Sequence, residues 1–230
     1  MAELQQAQSL EALRPVISSI ATSFGFRFYK VYKSPIPAVG SLRDLLLLTD
    51  LPDAFIETFD TIGYTSDELA RMRFVNRSQL TEWTVDHLLE PADSGKNERL
   101  LDLLGLYGID RGVYVNIAPV DGPVRILSFF GRRDPLPVQV AEHLTVLAVQ
   151  VLHHVSRIQM RREWDDAGLT SLEIECLLLA SQGHEAHEIG RRLGLSGRTV
   201  LYLANSVCSK LKVSTLDQAV AEALRCGFIT

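Results

Sequence analysis

Residues 169–230 constrain the chain most, because helix caps recur there at intervals that leave room only for short helices. Thr170 followed by Glu173 is a capping-box pair: the hydroxyl accepts from the Glu173 amide, and the carboxylate returns to the first free amide. The helix that starts there presents Ile174, Leu177 and Leu178 and ends near Gly183, whose tolerance of positive φ suits a carboxy-terminal cap. The next segment, Ala186 to Leu193, presents Ile189 and Leu193 on one side and stops at Gly194-Leu195-Ser196. A tight glycine turn between two short helices is the angular joint of a helix-turn-helix. Ser196, with Thr199, then caps a third helix whose Val200, Leu203, Val207 and Leu211 point inward, and Ser214 caps a fourth carrying Ala219, Val220, Ala223 and Leu224. The third helix holds the position from which such a module enters the major groove of duplex DNA.

The preceding residues alternate between helical and strand periods. Leu10 to Phe24 is an amphipathic helix with Leu13, Val16, Ile17, Ile20 and Ala21 on one side. Phe26 to Tyr32 reads as a half-buried strand that ends at Ser34-Pro35-Ile36-Pro37, and Leu45 to Leu48 as a second. Pro52 opens a helix, Asp53 to Ile62, with Phe55 and Phe59 on one face. Asp67 to Trp83 is charged and helical in pattern, and Glu98 to Tyr107 carries a leucine stripe too broad for a surface helix. Val113 to Ala118 and Val124 to Phe130 form an antiparallel hairpin about Asp121-Gly122-Pro123. Pro137 to Met160 is one long helix with Val140, Leu144, Leu147, Val151 and Val155 on a stripe, suited either to a dimer seam or to packing within its own domain. The pattern predicts an α/β sandwich with an antiparallel sheet in an amino-terminal domain, 1–160, and an all-α four-helix helix-turn-helix domain, 169–230. The charged run 161–168 between them reads as a linker.

Composition narrows the function. The net charge of −5 excludes a protein that coats nucleic acid by bulk positive charge. Within 169–230, Glu173, Glu175, Glu185, Glu188, Asp217 and Glu222 balance Arg191, Arg192, Arg198, Lys210, Lys212 and Arg225, so any DNA contact must be local. Cys176, Cys208 and Cys226 lack metal or redox spacing and read as buried thiols. His143, His153 and His154 form no metal set and read as surface residues. No nucleophile with a base, phosphate loop or cofactor motif is recognisable, so an enzyme is not expected. The polar amino terminus and the lack of a long apolar window point to the cytoplasm and away from the membrane.

The strings LTSLEIECLLLASQG, EIGRRLGLSGRTV and KLKVSTLDQAVAEALRCGFI, in that order, resemble the LuxR-type DNA-binding domain. The resemblance implies a dimeric regulator of promoter DNA, with Arg198, Thr199, Tyr202 and Asn205 as groove contacts and Lys210 and Arg191 as backbone clamps. The family usually carries Lys or Arg and His after the Thr-Val pair; here Leu201 and Leu203 stand in that stretch, and neither can make a charge-assisted hydrogen bond. Residues 24–130 are similar to the acyl-homoserine-lactone-binding domain of quorum-sensing LuxR regulators, through Leu51-Pro52, the aromatic pair, Trp83 and Gly108-Ile109-Asp110-Arg111-Gly112-Val113. That likeness implies a small acylated ligand with Phe55, Phe59, Tyr64, Glu68 and Trp83 around it. The family has Trp and Tyr where this chain has Phe55 and Phe59, so a ligand carbonyl loses a donor, a deficit of about 1–3 kcal/mol in a buried site. The same features fit a homodimeric regulator and an anti-activator that heterodimerises with a related regulator and takes it off DNA.

Overall fold

The computed structural model describes residues 2–33, 41–63, 80–89, 94–117, 124–226 and 228–229. Contacts divide the chain into two compact units, Met1–Val155 and Ser156–Thr230. In the first, β1 (Phe28–Lys33), β2 (Leu46–Thr49), β3 (Thr81–Thr84), β4 (Arg111–Ile117) and β5 (Arg125–Gly131) form an antiparallel sheet in the order β2-β1-β5-β4-β3. Every residue of β5 is buried, as is β4 beyond Arg111, because both faces of the sheet are covered.

One face carries Phe28, Tyr32, Trp83, Tyr114, Ile126 and Phe130, which share a core with Phe55, Ile56 and Phe59 of α4 (Asp53–Ile62) and Leu100, Leu103 and Leu104 of α5 (Ser94–Tyr107). Strand alternation turns Tyr29, Val31, Val113, Val115, Leu127 and Phe129 to the other face, where all are buried. On that side α2 (Leu10–Ser23), following the short α1 (Ala2–Gln6), packs on β1 and β2 and buries Leu13, Ile17 and Ala21. Burying each such large side chain contributes about 1.5–3 kcal/mol. The short helix α3 (Leu42–Leu45) is tied to α4 by Asp60, whose carboxylate accepts from the Leu42 amide at 2.6 Å.

Helix α6 (Val138–Asp166) buries Leu144, Ala148, Val151, Leu152 and Val155 within the first unit. Most of the stripe offered as a dimer seam is therefore consumed in the domain's own core. The segment expected as a linker is helical through Asp166, and Trp164 is buried among residues of the second unit. That unit contains α7 (Ser171–Ser181), α8 (Ala186–Leu193), α9 (Gly197–Leu211) and α10 (Leu216–Cys226). Gly190 makes the α8–α9 turn possible: a Cβ there would lie 2.7 Å from the Leu195 carbonyl oxygen, and Gly194 caps α8 at φ 68°.

Several expectations are corrected. Trp83 lies on β3 and not on a helix, because it pairs with Gly112 and stacks into the notch that residue leaves; 67–79 of the expected helix lie outside the described residues. His154 is buried, its Nε2 2.7 Å from the Ala7 carbonyl oxygen. Thr215, not Ser214, caps α10, its hydroxyl accepting from the Gln218 amide at 3.1 Å. Cys176 is buried and Cys208 half-buried, and burial raises the pKa of both thiols.

A Cβ at Gly112 would meet the Phe129 carbonyl oxygen and the Trp83 ring, both at 2.6 Å. Gly112→Ala is expected to destabilise the protein by about 1–3 kcal/mol in chemical unfolding. Gly105→Ala, in open space on α5, should stabilise by about 0.4–1 kcal/mol in the same assay.

Candidate ligand pocket and nucleic-acid interface

Between the sheet and helices α4 and α5 lies a cavity of about 50 Å³. A water occupies roughly 10–15 Å³ on this scale, so the space is compact. Phe55, Phe59 and Trp83 all line it. Phe55 and Phe59 stack with ring centroids 6.2 Å apart, Phe55 meets Tyr107 edge-on at 5.1 Å, and Trp83 lies 6.3 Å from Phe130. These aromatics are at once core and cavity wall. Tyr64 and Glu68 lie outside the described residues.

Lys30, Tyr32, Tyr114 and Ser128 bring polar groups to the cavity lining. Sequence reasoning passed over all of them, although Lys30 visibly interrupts an aromatic strand. Its Nζ lies 5.0 Å from the centre of the Tyr32 ring and 5.7 Å from that of Phe130. Burial pushes this ammonium down to about 8, and it raises the Tyr32 hydroxyl, with Tyr114 adding to the rise. The Ser128 hydroxyl donates to the Val113 carbonyl at 2.9 Å.

In the second unit, α9 divides by its helical period. Val200, Leu203, Val207 and Leu211 are buried, whereas Arg198, Leu201, Tyr202 and Asn205 are exposed along the opposite side. Leu203 is thus a core residue, and Leu201 alone of the two leucines meets solvent, 58 % exposed. Tyr202 is 72 % exposed and does not pack on the preceding helix. Thr199 is half-buried, its hydroxyl 2.8 Å from that of Ser196, which caps the helix. Arg191 reaches Glu188 at 3.8 Å, and among the described residues Arg192 and Arg198 have no ion pair.

Lys210 is engaged inside the module. Its Nζ bonds the Glu173 carboxylate at 2.7 Å and the Gly168 carbonyl at 3.1 Å. Glu173, 3 % exposed, also accepts from the Thr170 amide and hydroxyl at 2.7 and 2.9 Å and from the Ser206 hydroxyl at 2.6 Å. Burial alone would raise its pKa. The bonds from Lys210, Ser206 and Thr170 outweigh that and hold the carboxyl at about 2, below its usual 4.5. The capping box is visible in sequence; its two further partners, on α9, are not.

Residues 9–156 match the family described as the autoinducer binding domain, and residues 167–223 match bacterial regulatory proteins of the luxR family. The first match alone spans more than half of the chain, which belongs to the LuxR-type regulators with an amino-terminal autoinducer binding domain. Transcriptional activator protein SolR of Ralstonia nicotianae is 27 % identical over 230 residues, covering 97 % of this chain and 94 % of that protein. The crystal structure of Escherichia coli SdiA superposes with a TM-score of 0.51 at 18 % identity, over 100 % of this chain and 95 % of that one. SdiA in complex with octanoyl-rac-glycerol gives 0.51 at 17 % identity, over 99 % and 92 %. The SdiA likeness shows the common fold. Among the described residues no helix is long and apolar enough to cross a membrane, and no cluster of His, Cys, Asp and Glu could hold a metal ion.

Because the folded Glu173 pKa lies below its unfolded value, its stabilisation is full above about pH 4.5 and is lost as pH falls toward about 2. Glu173→Gln should flatten the acid side of the stability curve in this window. Lys210→Met, which strands a buried carboxylate, should destabilise by about 2–3 kcal/mol at pH 7 in denaturant titrations.

Proposed function

We propose that the chain is a cytoplasmic transcriptional regulator that reads promoter DNA through the outward side of α9, as a two-fold dimer, and carries a small acylated signal in its amino-terminal cavity. The observation that carries this reading is the exposed row Arg198, Tyr202 and Asn205 on a helix whose other side is locked into the core. Arg and Asn are the side chains suited to guanine and adenine edges, and Arg191 and Arg192, exposed at the end of α8, suit phosphates. Lys210 and Thr199 are given to internal bonds and contribute by positioning α9.

A near-neutral module binds one half-site weakly, so a dimer on two half-sites offsets the missing charge. Val138 and Val146, 75 % and 57 % exposed on α6, leave apolar surface for such pairing. SdiA's complex with octanoyl-rac-glycerol supports a ligand with an acyl chain for the same fold. Phe55 and Phe59 would pack against such a ligand without donating to it.

A second reading, an anti-activator that heterodimerises with a related regulator, is favoured by exposed Leu201 beside Tyr202 on the same helix side. Fluorescence anisotropy of duplex DNA across salt concentration separates the two. The regulator reading predicts binding whose logarithm falls steeply with log salt. It further predicts that Arg198→Ala weakens binding about tenfold, within the range of about 1–3 kcal/mol for a base contact. Flat, millimolar behaviour in the full chain contradicts it and supports the anti-activator. Thermal melting with acyl-homoserine lactones of several chain lengths tests the sensor: a bound ligand raises the midpoint by mass action.

A further inference from the structure

A row of polar side chains crosses the pocket face of the sheet and opens onto the cavity. Lys30 on β1 pairs with Ser128 on β5, and Ser128 pairs with Tyr114 on β4. Directly paired residues on adjacent strands lie on the same face, so the three side chains stand side by side. On one side the neighbour of this row is the apolar row Phe28, Phe130, Gly112 and Trp83, and on the other the row Tyr32, Ile126 and Asn116. Lys30, Ser128 and Tyr114 all line the cavity, and among the described lining residues there is no carboxylate.

Lys30 is the unusual member. Half-buried on a strand that faces an aromatic core, its ammonium keeps only part of its hydration, and its contacts are the π faces of Tyr32 and Phe130. Such contacts contribute about 0.5–2 kcal/mol and leave the charge without a counterion. Its pKa still leaves it mostly protonated at neutral pH. A neutral lactone would supply a dipole to this charge; an anion would supply a counterion.

We propose that the cavity selects a ligand with a carboxylate on a small apolar body, the carboxylate pairing with the Lys30 ammonium and the apolar part lying against Phe55, Phe59 and Trp83. This inference rests on the sensing role proposed above and specifies the chemistry of its ligand. Lys30 acts as the specificity-determining residue. The compact cavity sets the size of the apolar body to a short chain.

The test is calorimetric titration of the full chain with hexanoate, methyl hexanoate and N-hexanoyl-homoserine lactone, for the wild type, Lys30→Met and Lys30→Arg. The expected result is that the wild type binds hexanoate at least tenfold more tightly than either neutral compound. Lys30→Met should reverse that order while still binding the ester, and Lys30→Arg should keep it. Wild-type preference for the neutral compounds, or a preference that Lys30→Met leaves unchanged, overturns the proposal while the sensing role stands. Binding of none of the three by the wild type overturns the proposal, and the melting series with other chain lengths then decides the sensing role. If Lys30→Met fails to fold, the wild-type ratio and its retention in Lys30→Arg decide the matter.

Discussion

The buried carboxylate of Glu173 holds the carboxy-terminal module in its working shape. One side chain caps its own helix through Thr170 and reaches α9 through Ser206 and Lys210. A carboxylate out of water is tolerated only when its lone pairs are filled and a cation balances it, and here both conditions are met by residues from separate helices. The consequence is geometric. Ser206 and Lys210 are turned inward, which fixes the rotation of α9 and leaves Arg198, Leu201, Tyr202 and Asn205 as its outward edge. A function that depends on that edge depends on Glu173, although Glu173 never meets solvent.

The amino-terminal unit solves a different problem. A five-stranded sheet covered on both faces offers apolar rows to each side, and the aromatic residues of α4 and β3 fill most of one side without closing it. Gly112 is essential to that packing, since the Trp83 ring lies where a Cβ would be. The cavity that remains is bounded by rigid strands below and by helices above. Into this setting the Lys30, Ser128 and Tyr114 row brings polar groups beside the aromatic wall.

Much of this was legible in the residues. The carboxy-terminal helices follow from caps and glycines, and α8 spans the residues its periodicity predicts, because Glu188, Gly190 and Gly194 act locally. The central hairpin was readable from two strand-like runs rich in β-branched and aromatic residues, Val113 to Ala118 and Val124 to Phe130. Trp83 was not, since a four-residue edge strand carries too little pattern to outweigh the charged stretch before it. Lys210 looked like a phosphate clamp because a lysine near a helix end is usually solvated; its partner lies 37 residues away, and no local rule links them. His154 was misread for the same reason, its partner Ala7 being 147 residues distant. Lys30 was overlooked because alternation shows which face a residue takes but not what lies above it.

The direct measurement of whether α9 meets DNA is an amide chemical-shift map of the isotopically labelled full chain during titration with a promoter duplex. If the outward edge is the contact surface, the largest changes fall on Gly197, Arg198, Leu201, Tyr202 and Asn205, while Ser206 and Lys210 move little. Changes confined to residues outside α9, or an edge that stays unperturbed at saturating duplex, would contradict the account.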